Sequence, residues 1–140
     1  MNIEVRTVKK YYPLLFGLSC AIFLSGCSGF SRLPKIDFMG KSREEVIRIF
    51  AGNPKKAWGT HINILTAQRD APPYHCGNNR FFETVEEALA DEGLKKSPAL
   101  GGYMTERFGA VPAGWDYYEV VFDKNGIVVS QRISTFFDGP

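Results

Sequence analysis

The stretch WDYYEVVFDKNGIVVSQRIS, residues 115–134, constrains the fold most, because it predicts two antiparallel strands joined by a tight turn. Asn125 and Gly126 indicate a type I′ turn, since both central residues of that turn need positive φ. Apolar side chains alternate along each strand and so share one face: Tyr118, Val120 and Phe122 on the first, Ile127, Val129 and Ile133 on the second. The pattern predicts an antiparallel sheet with one packed face and one wetter face.

Two further stretches predict helices that would cover the packed face. In residues 40–54, Ser42 and Glu45 form a capping-box pattern ahead of an apolar stripe. Residues 81–96 repeat this pattern and predict a second helix. We therefore expect an α+β fold, with two or more helices packed on one face of a small antiparallel sheet that includes the C-terminal β-hairpin.

The remaining stretches are less regular. Residues 58–68 show a period-two alternation that predicts a strand. Residues 71–79 and 98–115 are rich in glycine, proline or asparagine and predict loops. Residues 40–140 are expected to form a single domain, which suits their length.

Residues 1–26 have the layout of an export signal. Three basic residues precede the uncharged run YYPLLFGLSCAIFL, residues 11–24. A membrane-spanning helix needs about 20 apolar residues, so this run of 14 predicts a removable signal peptide rather than an anchor. The run ends in LSGC, which resembles a bacterial lipobox. That resemblance implies cleavage before Cys27 and acylation of Cys27, for example with palmitate.

The lipid would hold the domain at a membrane. Residues 27–39 are expected to form the lipidated cysteine and a tether, and the lipid bilayer is one expected partner. Ser28 stands where an enterobacterial inner-membrane retention signal has Asp. This resemblance implies the outer membrane, with the domain facing the periplasm, and leaves the inner membrane as the alternative.

The charge balance argues against nucleic acid as a partner. Three of the 17 basic and one of the 15 acidic residues lie in residues 1–26, so residues 27–140 carry fourteen of each sign. A nucleic-acid-binding domain usually has a basic surplus or a basic stripe. We expect no nucleic acid to bind.

The candidates for chemistry are His61, His75 and Cys76. A structural zinc site needs four ligands, and Cys–His catalysis needs an orienting group and an oxyanion hole. Neither pattern is complete, so we expect no metal, no cofactor and no catalytic residue. An enzyme that depends on Cys76 is the less favoured alternative.

Trp115 and Tyr117 are the candidate contact residues. Alternation places them on the sheet face opposite Tyr118, Val120 and Phe122. An open face would make these rings an interaction surface, because Trp and Tyr are common interface anchors. A second covering layer would make them core residues. The adjoining segment 98–114 is expected to belong to the same contact region.

Two stretches together resemble a known family. FMGKSREEVIRIFAGNP, residues 38–54, followed by WDYYEVVFDKNGIVV, residues 115–129, resembles the outer-membrane lipoproteins of the SmpA/OmlA (BamE-like) type. The resemblance implies a non-catalytic accessory role with an envelope protein partner, in outer-membrane assembly or maintenance. Residues 55–114 form a long insertion relative to that family. An inhibitor of a hydrolase or toxin is the alternative function.

Overall fold

The computed structural model describes residues 33–53, 61–106 and 114–137. Five strands occur in these ranges: β1 (Ile62–Ala67), β2 (Cys76–Phe82), β3 (Ala99–Glu106), β4 (Gly114–Phe122) and β5 (Val128–Phe137). They form one antiparallel sheet in the order β2-β1-β3-β4-β5. The predicted C-terminal hairpin is present as β4 and β5.

Three helices occur in the described residues: α1 (Arg43–Ala51), α2 (Val85–Ala90) and α3 (Glu92–Lys96). They pack on one face of the sheet and form the main core with it, where Val46 and Phe50 of α1 join Ile64, Leu100 and Val120. We call this side the helix face. None of the helices in the described ranges is long and apolar enough to cross a membrane.

The predicted fold class, an α+β fold built from helices on a small sheet, is wrong, because the sheet is the larger part of the fold and the helices are short. The protein is mainly a five-stranded antiparallel sheet, and its described helices have only nine, six and five residues. The composition of residues 71–79 and 98–115 predicts loops, yet Cys76–Phe82 and Ala99–Glu106 are strands. The sheet therefore has more strands than the hairpin and residues 58–68 alone predict.

Glycine misleads in β3 because it serves close packing there rather than a turn. A Cβ atom on Gly102 would lie 2.5 Å from Cγ of Phe50, on the helix face. A Cβ atom on Gly101 would lie 3.0 Å from Cβ of Cys76. A central strand that neighbours approach this closely on both faces needs glycine.

The variant Gly102→Ala should lose about 1–3 kcal/mol of unfolding free energy, because the added methyl overpacks the core against Phe50. Urea unfolding of the single variant and of Gly102→Ala/Phe50→Leu measures the effect. Leucine at position 50 is smaller and should recover part of the stability that Gly102→Ala loses. The stability losses of Gly102→Ala and Phe50→Leu should therefore be less than additive in the double variant. Full additivity would contradict the contact.

The predicted helix 81–96 is divided into three parts. Phe81 and Phe82 end β2, and Thr84 caps α2 by accepting from the Glu87 backbone N–H at 3.2 Å. The chain then leaves the helical conformation at Asp91, where ψ is 122°. The Asp91 carboxylate accepts from the Leu94 N–H at 2.8 Å and starts α3. A second N-cap inside the stretch thus ends one helix and begins the next.

The turn of the hairpin is not type I′. Gly126 has a φ of 75°, but Asn125 does not have positive φ. The Asp123 carboxylate instead accepts from the backbone N–H groups of Asn125 at 2.8 Å and Ile127 at 3.0 Å. These hydrogen bonds favour a connection longer than the two-residue type I′ turn. The pairing register of β4 and β5 shifts next to this connection, at Val121/Phe122.

Residues 33–39, which the sequence assigns to the tether, pack against the domain. Phe38 is fully buried, with its ring centroid 5.0 Å from that of Tyr118 and 5.3 Å from that of Phe50. The Tyr118 hydroxyl donates to the Pro34 carbonyl at 2.6 Å. The folded domain therefore begins before residue 40.

Candidate binding site on the open sheet face

The sheet face opposite the helices carries a second, smaller core. Leu65, Cys76, Ala99, Met104 and Tyr117 are buried there and pack against one another. No helix of the described residues contributes to this cluster. We call this side the open face.

The predicted contact residues both lie on this open face. Tyr117 is only 2% exposed and belongs to the floor, whereas Trp115 is half-buried beside it. Trp115 pairs with Phe136 on β5, and Phe136 is 51% exposed. Of segment 98–114, residues 99–106 are a strand of the sheet rather than a loop beside it. Cys27 lies outside the described residues.

A cavity of about 110 Å³ opens on this face. Its deepest walls are buried side chains, while its mouth is surrounded by exposed ones. The residues that line it are Leu65, Gln68, His75, Cys76, Gly77, Asn79, Met104, Tyr117 and Phe136. Apolar depth with a few polar groups at the mouth is the usual composition of a ligand site.

A bulge in β3 directs Met104 into the cavity wall. The register between β3 and β4 shifts between Gly102 and Thr105, and Tyr103 within the shift has a φ of 60°. A left-handed conformation costs a non-glycine residue about 1–2 kcal/mol. Such strained positions and bulges are common beside functional sites, where they re-aim a side chain.

The carboxylate of Glu119 lies beside the cavity, next to Cys76 and Tyr117, and is only 3% exposed. It accepts from the Arg132 Nε at 2.6 Å, the Cys76 backbone N–H at 2.9 Å and the Tyr117 hydroxyl at 3.2 Å. Burial acts to raise its pKa, but hydrogen bonds from Cys76, Ser134 and Arg132 outweigh burial and lower the pKa below its ordinary value. Glu119 is thus an ionised carboxylate with its charge matched by Arg132.

Glu119 and Arg132 also hold the β1–β2 loop, residues 68–75, which forms one wall of the cavity. His75 Nδ1 lies 3.2 Å from Oε1 of Glu119, and Arg132 donates to the Tyr74 carbonyl at 3.0 Å. The Gln68 N–H donates to the His75 carbonyl at 2.9 Å and closes the loop. The wall is therefore fixed by the buried Glu119 carboxylate, whose partners Arg132 and His75 are more than half exposed.

Cys76 is a buried wall residue rather than a reactive thiol. It is 1% exposed, and burial together with nearby Glu119 raises its pKa to about 12. His61 pairs with Glu83 at 2.9 Å instead of joining His75 and Cys76. Among residues 33–53, 61–106 and 114–137, no three His, Cys, Asp or Glu side chains are placed to hold a metal ion.

The Cys76 thiol should remain unmodified when the folded protein is treated with iodoacetamide at pH 7, because thiolate is the reacting form. Adding urea above the unfolding midpoint should expose the thiol and allow alkylation. Intact-mass measurement reports both reactions. Rapid alkylation of the folded protein would contradict the burial of Cys76 and would support the alternative that the protein is an enzyme that depends on Cys76.

Sequence reasoning misses Glu119, Met104 and the cavity itself. A signal for Glu119 is present, because a two-residue turn at 125–126 would place Glu119 directly opposite Arg132, as the structure does. Met104 carries no such signal, since its direction depends on the bulge in β3. The cavity depends on the β1–β2 loop crossing the sheet.

Comparison with models of protein families, with curated proteins and with solved structures finds no match to this chain. Its function is therefore inferred from its own residues.

Proposed function

We propose that this protein is a non-catalytic lipoprotein of the bacterial envelope that binds a protein partner through its open face. Acylated Cys27 inserts in the lipid bilayer of the outer membrane, with the inner membrane as the alternative, and the domain faces the periplasm. Its role is accessory, as the SmpA/OmlA-like pattern implies, in outer-membrane assembly or maintenance.

One observation carries the binding role: the open face combines an apolar cavity with exposed aromatic side chains. Phe136 and Phe81 are 51% and 53% exposed, and Trp115 is half-buried against the open-face cluster. Phe81 shares this face because it pairs with Asn63, two residues from Leu65 on β1. Exposed aromatics around a concave apolar site are typical of an interface.

The other two functions have less support. Cys76 is buried and its pKa is raised to about 12, which disfavours an enzyme that uses it as a nucleophile. The inhibitor function depends on segment 98–114 reaching out from the domain. Residues 99–106 are hydrogen-bonded in the sheet between β1 and β4, so this part of the segment does not reach out from the domain.

Lipidation is tested by labelling growing cells with a palmitate analogue and separating their membranes. Wild-type protein should take up the label and fractionate with the outer membrane. The Cys27→Ala variant should take up none and leave that fraction. Equal labelling of both variants would contradict an anchor at Cys27.

Partner binding is tested by crosslinking in intact cells followed by purification of the lipidated protein. The Phe136→Ser variant should lose the captured partner, because it removes an exposed ring from the open face. Val129→Ser is the matched control, since Val129 is also 51% exposed on β5 but lies near the turn, away from the cavity. Equal capture by both variants would contradict binding through the open face.

A further inference from the structure

We propose that the open-face cavity binds one uncharged apolar side chain, of about the size of leucine, that a partner polypeptide presents. This inference rests on the proposed function and specifies what the partner contributes. It follows from the cavity's volume, its lining and the surface around its mouth.

The volume limits the size of the occupant. The cavity measures about 110 Å³, whereas an apolar cavity of about 150 Å³ accommodates a benzene molecule. A branched aliphatic side chain therefore fits. A long acyl chain does not, which disfavours a lipid tail even though the protein is proposed to lie at a membrane.

The lining selects an uncharged apolar group. Leu65, Met104 and Cys76 form walls that are at most 6% exposed. No Asp, Glu, Lys or Arg is among the described residues that line the cavity. Glu119 and Arg132, which hold the β1–β2 loop beside the cavity, already neutralise each other at 2.6 Å. A charged occupant would lose its hydration without gaining a partner.

The surroundings of the mouth favour a polypeptide over a free small molecule. The exposed ring of Phe136 forms part of the mouth, and Phe81 and Trp115 continue the apolar surface along the same face. A small molecule would fill the cavity and leave these rings in water. A polypeptide covers them, and its backbone can hydrogen-bond to the exposed amides of Gln68 and Asn79 at the mouth.

The methionines offer a built-in reporter. The sequence has Met1, Met39 and Met104; Met1 lies in the signal peptide, Met39 is 49% exposed, and Met104 lines the cavity. The lipidated protein, labelled with ¹³C at its methionine methyl groups, is placed in nanodiscs. N-acetyl-leucinamide is the probe, and N-acetyl-asparaginamide is the polar control of similar shape.

The leucine probe should shift the Met104 methyl signal saturably and leave the Met39 signal in place. The asparagine probe should bind at least about tenfold more weakly, as expected for loss of a buried apolar group. A Met104 signal that does not move, or that responds equally to both probes, would overturn the inference.

A mouth-blocking variant connects the cavity to the partner. Gln68 is exposed at the mouth, and its side chain lies over Gly77, so Gln68→Trp should cover the opening. Arg69→Trp is the matched control, since Arg69 is exposed in the same loop but does not line the cavity. Gln68→Trp should abolish the Met104 shift and lower partner capture at least about tenfold, and Arg69→Trp should change neither.

The experiments distinguish an error in the cavity's role from an error in the proposed function. Partner capture that survives Gln68→Trp but is lost in Phe136→Ser overturns the cavity's role and keeps the proposed function. If the wild-type protein captures no partner, both the proposed function and the proposal that a polypeptide supplies the apolar side chain are wrong. A saturable Met104 shift in that case would assign the cavity to a free apolar ligand.

Discussion

Glu119→Ala is expected to lower the unfolding free energy by about 2–4 kcal/mol, a large part of a domain's total stability. The carboxylate is 3% exposed, and the buried Cys76 N–H loses its acceptor, whereas the Tyr117 hydroxyl keeps the Cys76 carbonyl at 3.1 Å. Arg132 also loses its charge-assisted hydrogen bond to the carboxylate. Each buried unsatisfied donor costs about 1–3 kcal/mol. Chemical denaturation measures the change.

Two variants separate this effect from general loss of charge. Glu86→Ala removes an exposed carboxylate on α2 and should change stability by less than about 0.5 kcal/mol. Tyr117→Phe removes one donor to Glu119 and should cost less than Glu119→Ala. A Glu119→Ala variant as stable as Glu86→Ala would contradict the stabilising role of the buried Glu119 carboxylate.

The same carboxylate should make stability depend on pH. Its pKa in the folded protein is lowered below the ordinary value of 4.5, so its stabilising contribution is present above that pH. The contribution is lost as pH falls through the lowered pKa, because protonation then favours the unfolded chain. Asp91 and Glu45 have lowered pKa values too and act in the same direction. The difference between wild type and Glu119→Gln isolates Glu119, and it should shrink toward acid pH.

Phe38→Ala is the second change with a large expected effect, about 3–5 kcal/mol. Phe38 is fully buried between the rings of Phe50 and Tyr118, so removing it leaves a cavity in the main core. Its backbone N–H donates to Gln131 at 2.6 Å, which fixes the segment on β5. Thermal and chemical unfolding measure the loss.

Met39→Ala is the matched control because Met39 is the next residue and is 49% exposed. It should cost less than about 0.5 kcal/mol. If Phe38→Ala costs equally little, residues 33–39 are a tether in solution, and the folded domain begins at residue 40 as the sequence predicts.

Local signals in the sequence predict local structure well. The Ser42/Glu45 capping box is present in full, with Ser42 and Glu45 each accepting from the other's backbone N–H. The hairpin is also present, with Tyr118, Val120 and Phe122 buried on one face as alternation predicts. These features depend on residues within a few positions of one another. The prediction for the second strand is wrong, because the bulge at Val121/Phe122 buries Val128, and Val129 and Ile133 are 51% and 53% exposed.

Long-range packing explains the errors. Gly101 and Gly102 resemble loop residues, and their place in a central strand depends on Phe50, Cys76 and the strands on either side. The two predicted contact residues also differ in burial for this reason. Tyr117 is buried by the β1–β2 region, whereas Trp115 stays partly exposed. Composition carries no information about such distant neighbours.

Site-specific photocrosslinking in intact cells tests the central claim, partner binding through the open face, most directly. A benzophenone amino acid replaces Phe136 on the open face or, as the control, exposed Glu86 on α2 at the helix face. We predict a discrete protein adduct from position 136, weakened by Cys27→Ala, and none from position 86. Adducts from position 86 alone, or equally from both, would contradict the account.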